Sequence, residues 1–269
     1  FLENNMAINR NPLKNNSSKI SALIITFNEI NHIVEALDSI SFADEIIVID
    51  SFSSDGTLEL LQKRKDVLVK TKKFKNFADQ RNFALAQANY DWVLFIDADE
   101  RITKPLKEEI LKIVNTNSEV SGFKVRRKHF FKNKPINFSG YQTDTTYRLF
   151  RNGHVHYDTK RIVHEQPIID GKSDLLKNIM PHYSFSDYQS LKQKMMTYGH
   201  LKALELFSKG KQTNTVLYVI KAGYKFFYNY VIRLGFLDGK EGFIICYLNA
   251  LSVYYRHKEL KRLSGDFTK

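Results

Sequence analysis

Apolar positions in the first half of the chain alternate between two patterns. Continuous runs of strand length occur in "KISALIITF", "DEIIVIDS", "DVLVKTK" and "DWVLFIDADE". Between them, apolar residues recur every three or four positions, as in "NHIVEALDSI", where Ile33, Val34, Leu37 and Ile40 share one side of a helix. The runs suit strands covered on both faces, and the periodic segments suit amphipathic helices. Further helices are predicted in "SSDGTLELLQKR", with Ser53 or Asp55 available to cap it, and in "FADQRNFALAQAN". Another is predicted in "KPLKEEILKIVN", with proline near its first turn. Strand–helix alternation with short connections predicts a Rossmann-like, mostly parallel central sheet with flanking helices.

From Ser121 the pattern changes. "GFKVRRKHFF", "TTYRLFRNG", "RIVHEQ" and "LLKNIMPHYS" read as shorter, partly amphipathic strands with loops. Beyond Asp187 the chain becomes helical, with three segments beginning near Tyr188, Thr215 and Gly242. The longest uncharged stretch, Gly242 to Tyr255, has 14 residues, fewer than the roughly 20 a membrane-spanning helix needs. In the middle segment Leu217, Ile220, Tyr224, Phe227, Val231 and Leu234 share a broad apolar face opposite Lys221, Lys225 and Arg233. A basic, aromatic-rich amphipathic helix suits a membrane interface. Docking of most of that face on the protein's own core is the expectation slightly preferred.

Composition narrows the classes. With 269 residues, 43% of them hydrophobic, the chain supports a substantial core. Its single cysteine, Cys246, excludes an internal disulfide and a structural zinc site built on several thiolates. That fits cytoplasmic exposure. Residues 1–19 are polar and asparagine-rich without the apolar core of a signal peptide, and read as a mobile leader in which Met6 could be the natural start. Of the net charge of +12, +8 falls from Asp187 onward. A basic end suits nucleic acid, an anionic membrane or an acidic substrate, or is simply a solvated surface.

Candidate chemistry concentrates where the strands end. Asp97 and Asp99 follow the buried run Val93–Ile96, at the sheet edge where ligands bind in such folds. On a strand the two carboxylates would point opposite ways. A turn there would free Asp99 for a divalent metal, Mg²⁺ or Mn²⁺, which keeps waters and bridges to substrate phosphates. An acidic loop after a strand is also a common solvated feature. Thr26, Asn28 and Glu29 end the first strand and Asp50 the second, on the same edge. Polar groups at several strand ends suit a nucleotide site, and without G-x-G-x-x-G after the first strand it is not the usual dinucleotide fold.

These segments, "TFNE", "VIDSFSSDGT", "DQRNFAL", "FIDADE" and "VHE" in that order, resemble the family-2 glycosyltransferases with their GT-A fold. The resemblance covers about Ile20 to Asp187. "RLFRNG", "HYSFSDY" and "RLGFLDGKEGF" extend it nearly to the carboxyl terminus and point to the bacterial lipopolysaccharide-core β-glucosyltransferase branch. It implies a UDP-sugar donor, with Thr26, Asn28 and Glu29 near the base or ribose and Asp50 accepting from the uracil ring. Arg81 would approach the nucleotide, Asp97 would contact ribose or metal, and Asp99 would ligate the metal bridging the diphosphate. His182 matches a histidine that completes the metal site in many such enzymes; a hydrogen-bonded structural histidine is an even alternative. Glu165 would be the base that deprotonates the acceptor hydroxyl, with Asp158 its rival and neighbouring His164 structural. The pair His154 and His156 lacks a clear third ligand and is not read as a metal site.

The resemblance thus implies an inverting, metal-dependent enzyme moving a sugar, glucose by family, to a glycan or lipid-linked acceptor in lipopolysaccharide-core or other cell-surface synthesis. The expected divisions are the leader, a GT-A domain over 20–186 with a nucleotide-sugar half to about 120 and an acceptor half beyond it, and a basic helical region over 187–269. That region would contact an anionic membrane at the cytoplasmic inner face, or mediate oligomerisation. Two alternatives are a phosphatase using D-x-D, which normally follows an early strand, and an RNA-binding protein, for which no motif is present.

Overall fold

The computed structural model describes residues 18–116, 118–159, 166–185, 187–212 and 214–265. The first half runs β1 (Ile20–Thr26), α1 (Ile33–Ser39), β2 (Glu45–Asp50), α2 (Thr57–Lys63), β3 (Leu68–Thr71), α3 (Phe77–Leu85), β4 (Trp92–Asp97) and α4 (Lys104–Val114). Next come β5 (Val120–Phe131), β6 (Lys134–Pro135), β7 (Thr145–Arg151), β8 (Val155–Tyr157), β9 (Pro167–Ile169) and β10 (Lys172–Phe185). Three helices follow: α5 (Tyr188–Ser208), α6 (Thr215–Phe227) and α7 (Gly239–Leu263). Each strand and helix expected in the first half is present.

The main sheet has the order β10-β5-β7-β4-β1-β2-β3, with β6 paired to β5. β1 lies parallel to both β2 and β4, and β2 parallel to β3. β7 enters antiparallel between β4 and β5, and β10 returns parallel to β5. β8 and β9 form a separate antiparallel ribbon. The architecture is therefore mixed α/β with a mostly parallel sheet and a C-terminal helical region.

Alternate residues of the apolar runs feed different cores, which is why those runs are unbroken. Ala22, Ile24, Val48, Leu94 and Ile96 pack toward α1 and α4, whose Ile33, Leu37, Leu106 and Ile110 are buried. Leu23, Ile47, Ile49, Val93 and Phe95 pack toward α3 and β8. In a third cluster Phe131 of β5 and Phe185 of β10 meet Leu191 and Met195 of α5 and Ile245 and Leu248 of α7. This contact joins the C-terminal helices to the sheet.

Local chemistry sets several boundaries. Thr103 caps α4 by accepting from the Leu106 N–H, with Pro105 in the first turn. Neither Ser53 nor Asp55 caps α2, contrary to expectation: Gly56 occupies the cap at φ 96° and no side-chain cap bond forms. Asp55 instead accepts from the N–H and hydroxyl of Thr57 and from the Ile30 N–H.

Between α6 and α7 the chain makes a π-turn at Tyr228–Ile232 and a 3-10 turn at Gly235–Asp238. Here two glycines of "RLGFLDGKEGF" are needed for close approach, since a Cβ on Gly242 would lie 2.0 Å from the Gly235 carbonyl oxygen and one on Gly235 would lie 2.7 Å from the Asn229 carbonyl oxygen. The Asp238 carboxylate accepts from the Asn137 and Phe138 N–H groups and the Ser139 hydroxyl, tying this turn to the segment after β6.

The expectation that α6 docks its apolar face on the core is overturned. Ile220, Tyr224 and Phe227 are 61%, 64% and 52% exposed, and Leu217, Val231 and Leu234 are exposed beside them. The buried residue of α6 is Tyr218, stacked on His257 of α7. α7 covers only the edge of α6 that carries Tyr218. Among the described residues no helix is long and apolar enough to cross a membrane.

Candidate active site

The carboxyl ends of β1, β2 and β4 open onto a cavity of about 510 Å³, a volume in the range of small-molecule sites. Thr26, Glu29, Arg81, Asp97, Asp99 and His182, six of the residues singled out in the sequence, line it. Three buried polar atoms in its walls have no hydrogen-bond partner among the described residues: Thr26 Oγ1, Gln80 Oε1 and His182 Nδ1. Buried polar groups are nearly always satisfied, so three exceptions around one cavity point to a polar ligand.

The acids Asp97, Asp99 and Glu100 owe their arrangement to a turn. The Glu100 N–H donates to the Asp97 carbonyl at 3.0 Å, and Glu100 bridges to His182 of β10. The turn sends the three carboxylates to different partners. Asp97 receives Arg81 at 3.0 Å on Oδ1 and Arg148 of β7 on Oδ2. Burial by itself would raise the Asp97 pKa, but the Arg148 and Arg81 charges hold it far below the ordinary carboxylate range. Glu100 is fully buried and takes a two-pronged contact from Arg148, Nε to Oε2 at 2.8 Å and Nη2 to Oε1 at 2.7 Å.

Asp99 faces the cavity with its Oδ2 3.1 Å from His182 Nε2. Burial opposes its ionisation, yet the charge and hydrogen bond of His182 outweigh that and bring its pKa down to about 2. Glu29 moves the other way: burial first, then the charge of Asp99, push its carboxyl up to about 7.

Among the described residues, no group of three or more histidine, cysteine, aspartate or glutamate side chains converges as a metal site. Asp99 and His182 therefore offer a two-residue clamp. The donor set, one carboxylate and one imidazole with an unpartnered Nδ1, fits a Mg²⁺ or Mn²⁺ ion that takes its remaining ligands from phosphate oxygens and water.

Other predicted residues stand differently. Asp50 is fully buried behind the cavity wall, where its two oxygens accept from the Ser53 N–H at 2.8 Å and hydroxyl at 2.6 Å. The residue of this loop that reaches the cavity is Ser51. Asp50 is thus held as a tie within its own turn.

Asn28 lies in the left-handed region at φ 56°, which asparagine tolerates better than most residues. Its N–H donates to Ser53 and its side-chain oxygen accepts from the Ser54 N–H, locking the β1 and β2 loops together. It lines a smaller cavity of about 370 Å³ that shares Glu29, Asp99 and Lys194 with the larger one. Glu165 and His164 lie outside the described residues. Asp158 follows Tyr157, whose backbone is clamped by Asn82 of α3 through bonds of 2.8 Å in both directions.

Sequence reasoning missed Arg148, Ser51, Gln80 and the aromatic rim of Phe27, Phe74 and Phe77, each about half exposed. Arg148 had a signal: it sits in "TTYRLFRNG" beside Leu149 and Phe150, so a charge in that run demanded a buried partner. The rim residues lie in loops, or outside any periodic stripe, and had none.

The glycosyl transferase family 2 pattern matches residues 21–171. Over 261 residues the chain is 28% identical to the lipopolysaccharide core biosynthesis glycosyltransferase LpsC of Rhizobium meliloti (strain 1021), covering 92% of this chain and 96% of that protein. It is 29% identical over 264 residues to the uncharacterized glycosyltransferase RC0292 of Rickettsia conorii (strain ATCC VR-613 / Malish 7), spanning 93% of each. The crystal structure of S. aureus TarS 1–349 in complex with UDP is similar over 93% of both chains, at 16% identity and a TM-score of 0.45. The ordered motifs and the family match decide against the phosphatase and RNA-binding alternatives: this chain belongs to glycosyl transferase family 2.

Proposed function

We propose that this glycosyltransferase moves a sugar from a UDP-linked donor to a glycan or lipid-linked acceptor, with inversion at the anomeric carbon. The observation that carries the reading is the convergence of Thr26, Arg81, Asp97, Asp99 and His182 on one cavity lined with unpartnered polar atoms. The exposed rings of Phe27, Phe74 and Phe77 at its rim offer apolar faces to a base or sugar.

In this reading Asp97, ionised and oriented by two guanidiniums, uses its remaining lone pairs to accept from ribose hydroxyls. Asp99 and His182 hold a divalent cation, which when bound offsets charge developing on the departing diphosphate. Glu165 takes the proton of the acceptor hydroxyl. The acceptor oxygen then displaces the diphosphate directly, so no covalent protein nucleophile is needed. Arg148 and Arg127 keep Glu100, and with it the acidic turn, in place. The catalytic portion corresponds to residues 20–186, and α5 of the C-terminal portion closes one wall of its cavity.

The likeness to LpsC over 96% of that protein supports a role in lipopolysaccharide-core or related cell-surface synthesis; glucose is the sugar that the resemblance to the β-glucosyltransferase branch implies. A lipid-linked acceptor fits the exposed apolar face of α6, where Ile220 and Tyr224 would enter the anionic inner face of a cytoplasmic membrane while Lys221 and Lys225, exposed on the other side of the helix, reach its headgroups. A panel of UDP-sugars scored by UDP release, with Mg²⁺ or Mn²⁺ and a core-oligosaccharide acceptor, tests the function. UDP-glucose is expected to turn over. UDP release from none of them would refute the assignment.

A further inference from the structure

The helix α5 carries two stripes with different neighbours. Leu191, Met195, Gly199 and Ala203, spaced four apart, are buried. Gly199 admits α7 so closely that a Cβ there would lie 3.0 Å from the Ser252 carbonyl oxygen. The adjacent stripe, Lys194, Tyr198 and Leu201, lines the large cavity. Spacings of four and three keep these residues on one helical face, so packing on α7 sets the direction in which Lys194 points. The start of the helix is pinned by a capping box between Asp187 and Ser190.

Lys194 stands where the two cavities meet, beside Glu29 and Asp99, which also line both. The other cations of the large cavity are committed. Arg81 pairs with Asp97, Arg127 with Asp144 and Glu100, and Arg148 with Asp97 and Glu100. The Lys194 ammonium forms no ion pair or hydrogen bond with the described residues, and its nearest aromatic contact is the Phe185 ring, 5.6 Å to the centroid. A half-buried ammonium that stands near the Glu29 and Asp99 carboxylates without pairing directly with either, and that faces the cavity, is placed to receive an anion.

Resting on the functional reading above, we propose that Lys194 binds the diphosphate of the donor and stabilises it as a leaving group. As the acceptor oxygen bonds to the anomeric carbon, the bond from that carbon to the β-phosphate oxygen breaks. Its electron pair stays on the diphosphate, and the acceptor proton passes to the base carboxylate. The Lys194 ammonium donates to the oxygens on which that charge accumulates. The C-terminal helical region is then part of the catalytic site, and α5 carries a group that the nucleotide-binding sheet itself does not supply.

The test is equilibrium binding of UDP, UMP and uridine to the full chain with Mg²⁺, for wild type, Lys194→Ala and Lys194→Arg. Lys194→Ala should weaken UDP by about 10- to 100-fold, the range for losing a hydrogen bond to a charged group, and leave uridine unchanged. UMP should fall between them, Lys194→Arg should keep most UDP affinity, and kcat/KM for the donor should drop in step with UDP binding. Unchanged UDP binding by Lys194→Ala, or equal weakening of UDP and uridine, would overturn the inference while leaving the function standing. Wild-type protein that binds no UDP would overturn both.

Discussion

Removing the Arg148 guanidinium probes whether the acidic turn is held by charge pairing. Arg148→Met keeps most of the side-chain volume but leaves Glu100, fully buried, with only the Arg127 contact at 3.5 Å and the Asp97 N–H at 3.0 Å. Asp97 retains Arg81. The cost therefore falls mainly on Glu100, and breaking a buried ion pair by deleting one partner destabilises by about 3–5 kcal/mol. For a chain of this size each kcal/mol lowers Tm by roughly 2–4 °C, so thermal unfolding should occur about 6–20 °C earlier. Arg148→Lys should recover part of the loss, because one ammonium cannot reproduce the fork across Asp97 and Glu100. Pairing Arg148→Met with Glu100→Leu removes the orphaned charge together with its partner and should restore more than half. Urea denaturation with an unchanged m-value would assign these shifts to the folded state. A loss under about 1 kcal/mol for Arg148→Met, or simple additivity in the double variant, would refute the pairing argument.

Asp99→Asn should abolish transfer while UDP-independent folding by circular dichroism is preserved, and EDTA should silence the wild type; full activity in either case refutes a metal anchored there. Glu165→Gln should lower turnover by roughly two to four orders of magnitude with UDP binding intact; a mild effect beside a crippling Asp158→Asn would move the base to Asp158. Lys221→Glu with Lys225→Glu should reduce flotation with anionic liposomes, by about 1 kcal/mol for each lysine lost, while transfer to a soluble acceptor persists. Absence of wild-type binding at low salt would refute the membrane contact, and a concentration-dependent dimer would make the α6 face a subunit contact. Asp144→Asn tests the polar network beside the site. Burial opposes ionisation of Asp144, but its bonds to His129 and Arg127 hold its pKa well below the ordinary carboxylate value of 3.8. Its contribution, about 1.5–3 kcal/mol, should be full above pH about 4 and disappear as pH falls through the depressed folded value; a wild-type advantage absent at pH 6 would refute it.

The sequence by itself determined the first-half elements and which strand ends would carry chemistry. Strands buried on both faces require unbroken apolar runs, and helices packed on one side require a period near 3.6, so both are written in local spacing. The carboxyl ends of β1 and β4 follow from chain order alone, which is why Thr26, Asp97 and Asp99 were legible before any contact was known. Only the tertiary structure decided what those groups touch. The entry of β7 beside β4 brings Arg148 to Asp97 and Glu100 from about fifty positions away, a pairing no local period encodes. Asp50 looked equivalent to Asp97 as an acid ending a strand, but its two oxygens are taken by a serine three residues on. For α6, spacing revealed an apolar face but could not say what covers it. The structure leaves that face exposed, and the packing of α5 on α7 turns Lys194 toward the cavity, because helix–helix contact sets rotational phase and phase is a property of the partner as much as of the helix.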